Sequence, residues 1–166
     1  MYKIIENSYI GEDMYRMKVA GKFEGKMGQF YMLRAWDKYP VLSRPISIHD
    51  IDEEGITFLY KVVGEGTEIF AKLVPGDEIK LQGPYGNGYE KVEGKIALVG
   101  GGIGVAPLYL VAKTIPGCDA YLGFREEAIL VDEYKEFCNE VKTTTGNTYI
   151  TDILNELGAS SEYQAS

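Results

Sequence analysis

Near residue 92 the hydrophobic pattern of this 166-residue chain changes its period, and few folds accommodate both halves. Up to about Glu90, apolar residues come in short alternating runs set apart by turn residues. These are Tyr15–Val19, Gln29–Leu33 after Gly28, Ile56–Val63 between Gly55 and Gly64, and Glu78–Gln82 after Pro75-Gly76-Asp77. Period-two alternation marks strands with one buried face, and such runs at regular spacing read as an antiparallel barrel or sandwich. One helix interrupts them, Thr67 to Leu73, with Ile69, Phe70 and Leu73 as its apolar face. Beyond Gly94 the run Lys95–Val99 is apolar without alternation, as expected of a strand buried on both faces. Glycines follow from Gly100 to Gly104, then a helix over Val105–Ile115 with Leu108, Val111, Ala112 and Ile115 inward, a strand over Cys118–Phe124, and a helix over Asp132–Val141. Strand, glycine turn, helix and strand in succession open a parallel α/β lobe. The expected fold is therefore α+β in two lobes: an antiparallel β-barrel over residues 1–92 and a parallel α/β nucleotide-binding lobe over residues 93–166, hinged at Tyr89–Gly94.

Charge narrows the partners. With 25 acidic against 17 basic residues the chain carries a net charge of −8, which opposes a broad grip on nucleic acid or anionic lipid. No stretch approaches the roughly 18 apolar residues that a membrane span needs. Met1–Ile10 mixes Lys3, Glu6 and Asn7 with apolar residues and is not a signal peptide. Cys118 and Cys138 stand far apart without a partnered motif, so the chain reads as cytoplasmic with free thiols.

Three segments carry chemistry. Gly100-Gly101-Gly102-Ile103-Gly104 leads from a strand into a helix, where bare backbone and exposed N–H groups suit a pyrophosphate. The spacing departs from Gly-x-Gly-x-x-Gly, because Val105 occupies the third position, so a dinucleotide site and a tight structural turn both remain open. Pro107 fixes the chain near the helix start. Arg125, Glu126 and Glu127 follow the second strand, where a ribose would lie. Arginine favours an extra phosphate and the acids a free hydroxyl, while a solvated loop explains all three equally well. In the first half, Arg44-Pro45-Ile46-Ser47-Ile48 places an arginine fork and a hydroxyl on one strand start, although an exposed strand arginine alone speaks only for solubility. Gly64-Glu65-Gly66-Thr67 opens the barrel's helix with Thr67 as the expected N-cap. Two glycine-led helix starts in two lobes of different architecture point to two phosphate-bearing ligands.

These elements, in this order, resemble the ferredoxin reductase-like flavoproteins. In that superfamily an Arg-x-x-Ser strand and a Gly-Thr helix start hold FAD on a barrel, and a Gly-Gly-x-Gly-x-Ala-Pro turn holds a nicotinamide dinucleotide. The counterparts are Arg44–Ser47, Gly66-Thr67 and Gly101–Pro107. More narrowly, the chain resembles the electron-transfer subunits of NAD-dependent bacterial dihydroorotate dehydrogenases, through Arg44–Ile48, Tyr60 with Gly64–Thr67, and Gly83–Tyr89. The resemblance implies that Arg44 binds the FAD phosphates and that Pro45 and Ile46 belong to the same FAD strand. Ser47 would sit at the reactive flavin edge as the catalytic residue. It also implies that Leu59, Tyr60 and Lys61 line the flavin and its ribityl chain, and that Gly66 and Thr67 cradle the pyrophosphate. Gly101, Gly102, Gly104 and Pro107 would then face NAD(H). Hydride transfer of this kind needs stacking of two rings and exclusion of water rather than an acid or base. His49, the only histidine, is read as a surface or packing residue.

The family's chains continue through a last strand and a Cys-Gly-Pro motif into a cysteine-rich tail holding a two-iron two-sulfur cluster. That cluster passes electrons to an FMN-containing dihydroorotate dehydrogenase catalytic subunit, in a hetero-oligomer of pyrimidine biosynthesis. Cys118 and Cys138 cannot supply the four thiolates such a cluster takes, so no metal ligands are expected in this chain. Glu162–Ser166 is read as the strand leading to the missing motif. The expectation is a chain cut short there, keeping FAD binding but losing onward transfer and part of its nucleotide affinity. Two other readings stay open: the small subunit of a ferredoxin-linked NADPH or sulfide-type oxidoreductase, and a non-catalytic flavin- or nucleotide-binding module. Lys61 and Gly86-Asn87-Gly88 lean toward the dihydroorotate-linked family.

Overall fold

A computed structural model describes residues 1–158 of the chain. Six strands, β1 (Tyr2–Gly11), β2 (Met14–Ala20), β3 (Phe30–Arg34), β4 (Arg44–Ile51), β5 (Gly55–Lys61) and β6 (Glu78–Tyr85), close an antiparallel barrel. Their order is β1-β2-β5-β4-β3-β6, with β6 returning to β1, so no strand edge is left open. Met17, Val19, Leu33, Ile48, Phe58 and Ile79 fill the interior. Alternation in β5 turns Ile56, Phe58 and Tyr60 inward and Thr57, Leu59 and Lys61 to the opposite face. Helix α1 (Glu65–Ala71) docks through Phe70, whose ring meets Tyr60 edge-on at 5.7 Å and stacks on Trp36 at 5.5 Å.

The second lobe is a parallel sheet of β7 (Ala97–Gly101), β8 (Asp119–Gly123) and β9 (Glu140–Thr144) in that order. A 3₁₀ turn (Gly102–Val105) and helices α2 (Leu108–Thr114), α3 (Val131–Lys135) and α4 (Ile150–Gly158) accompany it. Central β8 is buried from Asp119 to Leu122, as a strand covered on both faces must be.

Several elements differ from the sequence reading. The barrel helix starts at Glu65 with Gly64 as its cap, not at Thr67. The helix expected over Val105–Ile115 is broken in two, because Pro107 has no N–H to continue the tight turn and starts α2 instead. The helix expected over Asp132–Val141 ends at Lys135. Phe137 N and Cys138 N both close on Tyr134 O, Asn139 N then bonds Cys118 O, and the β-branched Val141, Thr143 and Thr144 run on as β9. Tyr2–Gly11 and Ile150–Gly158, assigned no element in the sequence, form β1 and α4. The strand expected at Glu162–Ser166 lies outside the described residues.

Candidate active site between the lobes

The ends of β4 and β5 and the start of α1 face the second lobe's glycine turn across a cavity of about 440 Å³, within the usual range for small-molecule sites. Arg44, Pro45, Ile46 and Ser47 line it from β4; Leu59, Tyr60 and Lys61 from β5; Thr67 from α1. Ile103, Gly104, Ala106 and Pro107 line it from the other side. Gly66 lies directly behind the arginine. A Cβ there would stand 2.6 Å from Arg44 Nε and 2.9 Å from Trp36 Cη2, so only glycine lets the guanidinium settle. The same guanidinium lies 5.6 Å from the Trp36 ring centre and donates to Leu42 O at 2.6 Å.

Thr67 serves this turn differently from an N-cap. Its Oγ1 accepts from Val63 N at 2.9 Å and Gly64 N at 3.2 Å and donates to Gly64 O at 2.9 Å. The extended Gly64 takes the cap position, and the threonine one turn in reaches back to lace the loop together. Tyr60 reaches the cavity wall, but its hydroxyl is spent elsewhere. It donates to Asn7 Oδ1 at 2.9 Å, while Asn7 Nδ2 donates to Phe70 O and Leu73 O, each at 2.8 Å. Burial pushes the Tyr60 hydroxyl far above its ordinary range, which the Asn7 bond only partly offsets. Nothing about Asn7, a polar residue in a strand, marked it in the sequence as the brace of this helix.

A second cavity of about 520 Å³ opens on the α/β side, lined by Gly101, Gly102, Gly123, Arg125, Thr144 and the stretch 146–151. Lys61 lines both cavities, its Nζ 3.9 Å from Asp13 Oδ2. Gly102 has φ +54°, and neither it nor Gly104 has any atom within 4 Å of where a Cβ would stand, so the turn presents bare backbone to open space. Thr144 Oγ1 is the buried side-chain polar atom without a hydrogen-bond partner among the described residues. A hydroxyl left that way inside a cavity wall suits a ligand that satisfies it.

The glycine turn is held from behind by residues distant in sequence. Tyr134 Oη donates to Val105 O at 2.5 Å, and His49 Nδ1 donates to Ala106 O at 2.8 Å, which assigns the proton to that nitrogen. His49 is only 2% exposed, so of the two roles read for it packing holds and surface does not. The register of β4 against β5 slips between Ile48 and Asp50, a bulge that turns the imidazole toward the second lobe. There it stacks on Tyr109 at 4.7 Å, with Nε2 3.9 Å from Glu133 Oε2; Arg16 holds the same carboxylate at 2.5 Å. Burial works against the Glu133 charge, yet His49 and Arg16 outweigh it and hold that carboxyl below the usual range.

The loop at Arg125–Glu127 is not a plain solvated loop. Its three backbone N–H groups donate to the Glu12 carboxylate, at 3.0, 2.6 and 2.8 Å. The two cysteines, distant in sequence, meet with their sulfurs 3.6 Å apart and stay free thiols. Burial pushes both upward, Cys138 to about 12, so neither is a thiolate at neutral pH. Among the described residues no group of His, Cys, Asp and Glu is placed to hold a metal ion, and no helix is long and apolar enough to cross a membrane.

A closed six-stranded barrel whose Arg-Pro-Ile-Ser strand faces the glycine turn of a parallel lobe is the fold of the ferredoxin reductase-like flavoproteins. A chain of the NADH-dependent reduced ferredoxin–NADP oxidoreductase superposes on it with a TM-score of 0.85 at 30% identity, covering 95% of this chain and 63% of that one. Within this class the chain belongs to the family of dihydroorotate dehydrogenase B (NAD(+)) electron transfer subunits. The Clostridium acetobutylicum member is 50% identical over 147 residues, covering 86% of this chain and 60% of its own. The Clostridium perfringens member is 39% identical over 166 residues, covering 92% and 67%. The chain thus spans roughly two thirds or less of the length of these relatives. No protein-family model matches it.

Proposed function

We propose that this chain is the FAD- and NAD(H)-binding part of an electron-transfer subunit, with FAD on the barrel (residues 1–92) and NADH on the lobe from residue 93. The observation that carries the reading is the shared cavity, where Arg44 and Ser47 stand across from Gly104 and Pro107, with Lys61 between it and the second cavity. Two features fit the two ligands: Gly66, kept bare beneath Arg44, and the orphaned Thr144 hydroxyl in the second cavity. Bound FAD supplies hydride acceptance and onward electron release. The chain's residues supply the rest. Arg44 offers a planar fork to the phosphates, with Gly66 and Thr67 shaping the loop beside it. Ser47 presents its hydroxyl at the reactive edge, and Pro45, Ile46 and Leu59 form apolar walls that keep water out. Tyr134 ties the glycine turn to α3 and His49 ties it to β4, and a fixed distance from β4 is what near-attack stacking of two rings requires.

Beyond this chain, electrons would pass to a two-iron two-sulfur cluster on thiolates other than Cys118 and Cys138. They would then reach an FMN-containing dihydroorotate dehydrogenase catalytic subunit, in a cytoplasmic hetero-oligomer serving pyrimidine biosynthesis. The family's name supports this partner. The 30% identity to the ferredoxin–NADP oxidoreductase chain keeps one rival, a ferredoxin-linked partner, which co-purification with a dihydroorotate-oxidising flavin subunit would eliminate. The primary test is colour. Purified protein should be yellow and NADH should bleach it without oxygen. Protein that stays colourless after incubation with FAD overturns the reading, and yellow protein that NADH cannot bleach marks a binding module instead.

A further inference from the structure

The hairpin joining β1 to β2 reaches out of the barrel into the second lobe. Gly11 pairs with Met14, so the loop is only Glu12 and Asp13, and both adopt left-handed backbone (φ 58° and 60°). A two-residue turn of this kind is the ordinary place for Asn-Gly, and two bulkier acids sit there at an energetic cost. Their side chains account for their presence. The Glu12 carboxylate, 6% exposed, takes the N–H groups of Arg125, Glu126 and Glu127. Asp13 Oδ2 lies 3.4 Å from Arg125 Nη2 and 3.9 Å from Lys61 Nζ. Burial alone would raise the Glu12 carboxyl, but the three N–H groups and the Arg125 guanidinium hold it below the usual range, so it is charged at neutral pH.

Glu12 and Arg125 line the second cavity together with Gly101 and Gly102. In a lobe of this type the loop after the second strand meets the adenosine ribose of a dinucleotide. Three successive N–H groups make an anion cradle, and an arginine fork fits a phosphate. Both are already claimed by acids of the other lobe.

We propose that Glu12 is a specificity-determining residue: its carboxylate fills the cradle at residues 125–127 and, with Asp13, neutralises Arg125, so that the cavity takes an adenosine with a free 2′-hydroxyl and refuses one with a 2′-phosphate. A ribose hydroxyl can donate to this carboxylate. A 2′-phosphate finds no open N–H and meets like charge in a partly desolvated site. The ambiguity of Arg125 beside Glu126 and Glu127 is thereby settled by an acid more than a hundred positions earlier. The proposal rests on the second cavity being the pyridine-nucleotide site.

The test is calorimetric titration of the FAD-loaded full chain with adenosine 5′-monophosphate and with its 2′-phosphorylated form, for the parent, Glu12→Gln and Glu12→Ala. The parent should bind the unphosphorylated nucleotide at least tenfold more tightly. Glu12→Gln, which keeps one acceptor oxygen for the loop and so guards against misfolding, should shrink that ratio severalfold. Glu12→Ala should bring it to parity or reverse it. Equal affinities in the parent overturn the proposal alone. So does a proportional loss of both affinities in the variants at an unchanged ratio, the pattern of a purely structural latch. A parent chain that binds neither nucleotide overturns the nucleotide site and this proposal with it.

Discussion

In the barrel lobe the turn at Gly64–Thr67 is supported from within: one threonine oxygen satisfies two N–H groups and one carbonyl of its own loop. In the α/β lobe the turn at Gly101–Pro107 has no side-chain cap and is held by Tyr134, His49 and the packing of Leu108 under Gly100. The first turn is a local invention, complete within a few residues. The second takes its support from α3 and from the docked barrel. A self-supported turn fails one residue at a time, whereas a remotely supported one is sensitive to changes far from any ligand.

That contrast can be broken by substitution. Arg44→Ala should have the largest effect, since a charge-assisted bond to phosphate is worth about 1.5–3 kcal/mol. FAD retention should fall at least tenfold in an ultrafiltration or fluorescence assay, and full occupancy would remove Arg44 from the site. Thr67→Ala should cost about 1 kcal/mol of local stability by removing the acceptor of two part-buried N–H groups. It should weaken FAD severalfold, and an unchanged FAD affinity would show that the barrel turn is not self-supported. Tyr134→Phe and His49→Phe should leave FAD in place while anaerobic reduction by NADH slows about fivefold, for the loss of about 1 kcal/mol at one carbonyl each. Loss of FAD in these two would erase the distinction between the lobes. Acid should give the smallest and most graded effect. Glu12 and Glu133 are both held below the usual carboxylate range, so their contribution is present above the unfolded value, about pH 4.3, and is lost as pH falls through the lower folded values. Both lie on the inter-lobe seam, so NADH-dependent bleaching should fail at a higher pH than FAD release. Simultaneous loss would show that the two sites share one support.

The same contrast explains what was legible in the sequence. Arg44, Ser47, Leu59, Lys61, Thr67, Gly104 and Pro107 could be picked out because each lies in or beside a short motif that resembles those of the flavoprotein superfamily, and they converge on one cavity. Glu12, Asn7 and Tyr134 could not, because their roles arise from pairings with segments distant in sequence, nor could Thr144, whose role rests on burial without a partner. Strand β1 escaped for a local reason: two register shifts against β2 break its alternation. Strand β9 was hidden behind α3 because Tyr134, Phe137 and Cys138 continue a helical spacing for one turn after the helix has closed.

His49 has one more consequence. A chain with a single histidine gives a single set of imidazole resonances, and this ring reaches from the barrel across the seam to Ala106 O and Tyr109 of the second lobe. Its Nδ1 proton should exchange slowly while the halves are together and rapidly once they part. The protein therefore carries a built-in, label-free gauge of breathing between its halves, readable in one uncrowded corner of a proton spectrum as nucleotide is added.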